Sequence, residues 1–388
     1  MIITGYRTVV VGTPWRELAI IEVHTDEGLT GLGEVRMVNK TDTLLAAIDE
    51  LAPRYLIGTD PFDVARLAWQ IEVGEYGLPG EVGASALAAF DIACWDIMGK
   101  ALGQPIWRLL GGAFRDEVPA YANGWYQGDR DPAIVADLAQ QVTARGYGAV
   151  KIDPFGAASS TLTPAGHRLS TEILQAVRDA IGPDRQIYVE MHGRFTGATA
   201  AVIAHDIAGI RPGWLEEPTL PLDIGGLRQV RASTPFPIAL GERIHHAGEL
   251  RGFLEQNLVD IVQVDVTHHG GITGFMRLVG WTNAYNVLLA PHNVCGPIGT
   301  AAALHCCIAA PNVLVLEHFN DFADVWVHDI VDNPPRVSPA GTFAKPTAPG
   351  LGLSLVDEVV AAHPRTGGRL ALYREGWERR QDVSAYAR

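Results

Sequence analysis

After about residue 117 the chain alternates eight short apolar runs with segments of helical composition, and this alternation constrains its fold more than any other feature. The runs are "VPAYAN", "AVKIDP", "IYVEMH", "GWLEEP", "PIALGE", "DIVQVD", "NVLLAPH" and "NVLVLEHF". Parallel neighbouring strands need crossover connections, so the pattern predicts a parallel sheet, and eight such units predict an α/β fold of the (β/α)8 barrel type. The preceding stretch, residues 1–117, has a mixed texture. "ELAIIEVHTDEGLTGLGEVR" reads as two strands around the turn Asp26-Glu27-Gly28, and helical periodicity runs from about 41 to 110. Its clearest helix, "GASALAAFDIACWDIMGKALGQPIWRLLG", breaks at Gly103 to Pro105. Asp91 and Asp96 on that helix read as capping and packing residues.

Composition excludes several classes. A chain of 388 residues, 47% hydrophobic and 19% charged, can bury a large core and is long enough for about two domains. A net charge of −14 and a pI near 5.3, with no basic stripe, argue against a nucleic-acid partner. The start, "MIITGYRTVV", has no basic segment leading into a long apolar run, so neither a signal nor a transit peptide is expected. The densest apolar region, "TAAALHCCIAAPNVLVLEHF", is broken by His305 and Pro311, so no membrane partner is expected either. Cys94, Cys295, Cys306 and Cys307 show no metal-ligand spacing, and the adjacent pair cannot easily bridge to itself; a cytoplasmic location fits them.

The strand ends carry the chemistry. In "QIYVEMHGRF", residues 186–195, the polar groups are held back to the end of an apolar run, where Glu190 and His192 fall on the same side of a strand. The other runs deliver Lys151 and Asp153, Glu216 and Glu217, Glu242, Asp265, His292 and Glu317 at equivalent places. Barrel enzymes place their catalytic groups there. Glu190, Glu216 and Glu242 recur at one βα unit apart, so three neighbouring strands bring them to one rim. Any one of them reads equally well as a salt-bridged rim residue, but three carboxylates in register need a cation, and an all-oxygen set selects a hard ion such as Mg2+.

In this order and spacing the residues resemble the enolase superfamily, within its mandelate racemase-like subgroup and nearest the sugar-acid dehydratases that act on galactonate. The resemblance covers the whole chain: an α+β capping domain at 1–117, a barrel at 118–325, and a segment at 326–388 that returns to the cap. It implies metal ligation by Glu190, by Glu216 in "WLEEP" and by Glu242 in "GER". It further implies a His292–Asp265 dyad, from "APHN" and "QVDVTHHGGIT", and a carboxylate after the last strand at Glu317. Glu190 departs from the family's usual Asp, which puts the geometry of ligation in question.

The implied reaction removes the proton α to the carboxylate of a sugar acid, with His292 as base and Asp265 fixing its tautomer. Glu317 is expected to be a protonated donor to the developing oxyanion, which needs a raised pKa. His192, two residues after the first ligand, implies dehydration, since β-elimination needs an acid for the departing hydroxyl. "Lys151-Ile152-Asp153" stands where racemases of the subgroup carry two lysines; Lys151 is a candidate acid or base, and Asp153 is either a substrate contact or one half of an ion pair. Arg194 is a candidate for a distal hydroxyl or a solvated residue. A cycloisomerase or epimerase, and a catalytically silent binding barrel, remain as alternatives. His245, His246, His268 and His269 are expected in substrate loops or at the surface. Two loops of the cap, about 13–19 with Trp15 and Arg16, and 34–43, are expected to face the substrate. Family precedent and an apolar cap imply a homo-oligomer.

Overall fold

The computed structural model describes residues 1–13, 15–77 and 79–380. Three antiparallel strands open the chain: β1 (Ile3–Gly12), β2 (Glu17–Thr25) and β3 (Thr30–Val35), with β2 central. β2 and β3 are the hairpin read from the sequence. β1 has no clean alternation because, as an edge strand, it leaves most of its side chains half-buried. Helices α1 (Thr41–Leu51), α2 (Val64–Gly74) and α3 (Gly80–Leu102) complete the cap, and the short α4 (Ile106–Leu109) leads out of it.

α3 is rich in small residues because it meets β3 backbone to backbone. A Cβ at Gly31 would lie 2.1 Å from the carbonyl oxygen of Ala93, and one at Gly33 2.2 Å from that of Ala89. α3 is long and apolar enough to cross a membrane, yet 83% of that stretch is buried inside the protein. Its two aspartates do the packing work expected. Asp96 accepts the N–H groups of Leu32 and Leu351 and the Lys100 ammonium, and Asp91 accepts the N–H of Thr273 on the barrel.

The barrel strands are β4 (Glu117–Ala122), β5 (Ala149–Ile152), β6 (Gln186–Glu190), β7 (Trp214–Glu216), β8 (Ile238–Leu240), β9 (Ile261–Val262), β10 (Leu288–Leu289) and β11 (Leu316–His318). Between them run α5 (Pro132–Ala144), α6 (Pro164–Ile181), α7 (Gly197–Asp206), α8 (Ile224–Ser233), α9 (Ala247–Glu255), α10 (Gly271–Ala284) and α11 (Pro297–Ala309). Strands pair in chain order, β11 pairs with β4, and a parallel bridge between Leu289 and Val313 closes the ring. One buried residue from each strand or its flank fills the lumen: Tyr121, Tyr188 and Trp214 are large, while Ala149, Ala239 and Ala290 make room for them. β12 (Thr342–Ala344) then pairs antiparallel with β4, and α12 (Asp357–Ala362) leads back to the cap. There Pro364 bridges Val11, Arg365 pairs with Glu17, and Leu370 exchanges hydrogen bonds with Asn39.

His305, the polar break in the apolar α11, is fully buried. Its Nδ1 accepts the N–H of Trp107 and its Nε2 donates to the carbonyl of Leu351, which fixes the neutral imidazole. Burial pulls its pKa down to about 4. A folded value below the unfolded one means that this stability is complete above about pH 6.5 and is lost as pH falls towards 4. A thermal midpoint that declines over that window in the wild type, and declines less in His305→Gln, is the expected result.

Candidate active site

Strand periodicity sets the first carboxylates. Tyr188 and Trp214 fill the lumen as partners in register, so Glu190 and Glu216, two residues later and again in register, point inward above them. Glu216 is held from below: Trp214 Nε1 donates to Oε2 at 2.9 Å, Gln263 Nε2 to the same oxygen at 2.8 Å, and Lys151 Nζ to Oε1 at 2.5 Å. Glu242 follows β8. One carboxylate oxygen from each of Glu190, Glu216 and Glu242 lies within 4.8 Å of the other two.

This group fits a hard divalent cation. Glu190 Oε1 turns back to accept the N–H of His192 at 2.6 Å, whereas Oε2 is buried with no hydrogen-bond partner. The longer side chain of Glu190 therefore still supplies an oxygen to the cluster. Burial raises the pKa of Glu190, and burial together with the Glu190 charge raises that of Glu216 far more. Burial works against the Glu242 charge too, but Arg243 and His292 outweigh it and hold this carboxyl at about 2. Three carboxylates this close, all oxygen donors, suit a hard cation, with the Lys151 ammonium already beside Glu216 and Glu190.

His292 lies beside the cluster. Its Nδ1 is 2.7 Å from Asp265 Oδ2, and its Nε2 faces Glu242 Oε2 at 3.4 Å. Asp265 in turn accepts the N–H and hydroxyl of Thr267, each at 2.7 Å. With Nδ1–H given to Asp265, Nε2 is the nitrogen free to take a proton. Burial opposes the imidazolium, but Glu317, Asp265 and Glu242 together raise its pKa to about 9; a cation held by Glu242 would offset part of that field and favour the neutral ring that a base needs.

Glu317, expected as a protonated donor, has donors at both of its oxygens. Its Oε1 accepts from Asn123 Nδ2 at 2.7 Å and lies 2.8 Å from Lys151 Nζ, and its Oε2 accepts the N–H of Asn293 at 2.7 Å. Burial alone would raise its pKa, but Lys151 and His292 lower it. Lys151 Nζ sits among Glu216, Glu317 and Glu190, the last at 3.4 Å. Burial disfavours its charge, yet Glu216 and Glu317 raise its pKa well above the usual range, so it is a fixed cation and a poor base.

His192 faces the same cavity. It occupies a left-handed backbone position, φ 49°, and its Nδ1 lies 2.5 Å from Asp153 Oδ2. Asp153 also pairs with Arg194 and accepts the N–H of Phe155 at 2.9 Å. Neither Asp153 nor Arg194 is among the residues that line the cavity. They stand behind His192 and orient it; Arg194 Nη1 is spent on the carbonyl of Gly156 at 2.7 Å. The ion-pair alternative for Asp153 is the one the geometry places.

The cavity measures about 420 Å3, within the range of small-molecule sites. Lys151, His192, Glu242 and His292 line its barrel side, and Trp15, Arg36, Val38 and Lys40 come from the two cap loops. Arg16 turns away and donates to the carbonyl of Val294 at 3.1 Å, so of the pair Trp15 and Arg16 only the tryptophan reaches the cavity. His245 and His268 line it, whereas His246 caps α9 and His269 is buried against the carbonyl of Ile244. Sequence reading missed the last part of the wall: Leu370, Leu372, Trp377 and Arg380, from a segment with no periodicity to reveal it. Tyr373 of that segment donates its hydroxyl to the carbonyl of His192 at 3.1 Å.

Family models cover most of the chain. The family model described as Enolase C-terminal domain-like matches residues 134–359, and the Mandelate racemase / muconate lactonizing enzyme, N-terminal domain matches residues 7–111. The chain belongs to the mandelate racemase/muconate lactonizing enzyme family. Among its relatives in that family is the D-gluconate dehydratase of Thermoproteus tenax, 36% identical over 89% of this chain and 70% of the relative. A mandelate racemase/muconate lactonizing enzyme from Jannaschia sp. CCS1 superposes with a TM-score of 0.88 at 31% identity, over 96% of this chain and 100% of that one. A provisionally assigned dehydratase from Mesorhizobium loti gives a TM-score of 0.90 at 30% identity, over 94% and 99% of the two chains.

Proposed function

We propose that this chain is a hydro-lyase that dehydrates a sugar acid, with Mg2+ held by Glu190, Glu216 and Glu242. The observation that carries the reading is the pair of histidines on one cavity, His292 tied to Asp265 and His192 tied to Asp153, flanking the carboxylate cluster. The likeness to a D-gluconate dehydratase supports it. When bound, Mg2+ supplies the positive charge that offsets the negative charge developing on the substrate carboxylate as its α-proton leaves.

His292 Nε2 takes the α-proton, and Asp265 on the other nitrogen favours the imidazolium that results. The electrons of the broken C–H bond move first into the substrate carboxylate, then return to form the new double bond as the β-C–O bond breaks. His192 gives its proton to the departing hydroxyl, which leaves as water, and Asp153 at 2.5 Å keeps the ring aimed. The enol left behind tautomerises to a 2-keto-3-deoxy acid. Weighing against the cycloisomerase or epimerase reading is the engagement of Lys151 by three carboxylates and of Asp153 by His192 and Arg194, which leaves neither free as a second base.

The test is a sugar-acid screen with Mg2+ that reads carbonyl formation and product mass together. The expected product has lost one water and gives a carbonyl signal, and chelation of the metal stops its formation. A product of unchanged mass would sink the hydro-lyase reading in favour of an isomerase. No α-proton exchange with solvent for any acid would leave the silent barrel.

A further inference from the structure

Two arginines, Arg36 and Arg380, line the cavity above the barrel's own charged groups. Around the ring β7 lies opposite β11, and the groups above β11 and β4 include Phe319 and Tyr126. Arg380 lies over both, its guanidinium carbon 4.8 Å from the centroid of Phe319 and 5.8 Å from that of Tyr126; it is also 5.4 Å from Trp15. Arg36 approaches Trp15 at 5.6 Å. Both arginines line the cavity and are 7% and 8% exposed. Among the described residues neither guanidinium has an ion pair or side-chain hydrogen bond, and Arg380 Nη1 is buried without a partner.

Among the described residues no carboxylate pairs directly with either. Arg16 adds a third guanidinium behind Trp15 and Phe319, at 5.2 and 5.0 Å. Glu34, whose charge reaches Arg16, gives its oxygens to the N–H groups of Gly296, Ile298 and Gly299 at the start of α11. Asp265, Glu242 and Glu317, whose field reaches Arg36, already face His292 and Lys151. Two buried, unpaired guanidinium groups are unfavourable, and aromatic faces offset only part of that cost. A planar fork of donors without an acceptor is suited to a carboxylate.

We propose that Arg36 and Arg380 form a subsite for a second anionic group of the substrate, making the substrate of this enzyme a sugar diacid whose far carboxylate they bind. This rests on the reading of the site as a sugar-acid hydro-lyase, with the reacting carboxylate at the glutamate cluster. It also separates this chain from the relative named for gluconate, a monoacid. A terminal phosphate offers a guanidinium the same acceptor oxygens, so the assay includes it.

The experiment measures binding of hexarates, of the hexonates of matching configuration and of their 6-phosphates to the Mg2+-loaded protein by calorimetry, beside turnover of each. A diacid bound about 100-fold more tightly than its monoacid is expected, as for a site built around a charged hydrogen bond. That ratio falls to within about threefold in Arg36→Met and Arg380→Met, and takes an intermediate value in Arg380→Lys, which keeps the charge and loses the fork. Equal binding of monoacid and diacid by the wild type, a ratio indifferent to both arginines, failure of every diacid to bind, or a preference for the phosphates would overturn the assignment. Because binding is read without turnover, a preferred diacid that is not dehydrated defeats the hydro-lyase reading and leaves the subsite standing. Dehydration of a monoacid with no preference for diacids does the reverse.

Discussion

Glu242→Gln is expected to lower turnover by about three orders of magnitude or more and to abolish tight Mg2+ binding while leaving the thermal midpoint nearly unchanged. The amide would remove one of the three charges proposed to share the cation, and Glu242 is the member of the set least tied into the barrel: among the described residues only Arg243 and His292 pair with it, each at 3.4 Å. Glu216→Gln should lose activity as completely but at a cost in stability, because the amide nitrogen would face one of the donors from Lys151, Trp214 and Gln263. Turnover, metal calorimetry and thermal melting on the two variants separate the chemical loss from the structural one. Wild-type turnover in Glu242→Gln would remove this residue from the metal site.

His292→Asn and His192→Asn should fail differently. Without His292 there is no group to take the α-proton, so both product formation and exchange of that proton with deuterated solvent fall by about three orders of magnitude. Without His192 the α-proton still leaves to His292, while the hydroxyl has no proton donor. Product formation falls by about 100-fold or more, and deuterium enters recovered substrate. Mass spectrometry of substrate and product after the same incubation reads both. Exchange at the wild-type rate in the His292 variant would move the base elsewhere, and full product formation in the His192 variant would remove the acid.

The cluster Glu190, Glu216 and Glu242 was legible because it obeys two repeats at once. The βα unit brings equivalent strand ends to one rim, and the two-residue period of a strand turns alternate side chains to one face. The His292–Asp265 pair was legible only through the family resemblance, since the two lie on neighbouring strands far apart in the chain. The charge state of Glu317 was not legible at all. It depends on Lys151, Asn123 and Asn293, which three different strand ends bring to its two oxygens. The partner of Arg194 was not legible for the same reason: its place in the loop after β6 says nothing of Asp153, which follows β5, the neighbouring strand.

The order of strands and helices, the filling of the lumen and the rank of carboxylates on the rim were written in the sequence by itself, since each follows from local periodicity. Tertiary structure alone decided which of those charges are neutralised and which are left over. Arg36 comes from the cap and Arg380 from the end of the described chain, and that neither has a direct ion pair among the described residues is a property of where the two segments meet over the barrel. Charge pairing falls off over a few ångströms, so it is set by contacts between segments distant in the chain, and no spacing within either segment encodes it.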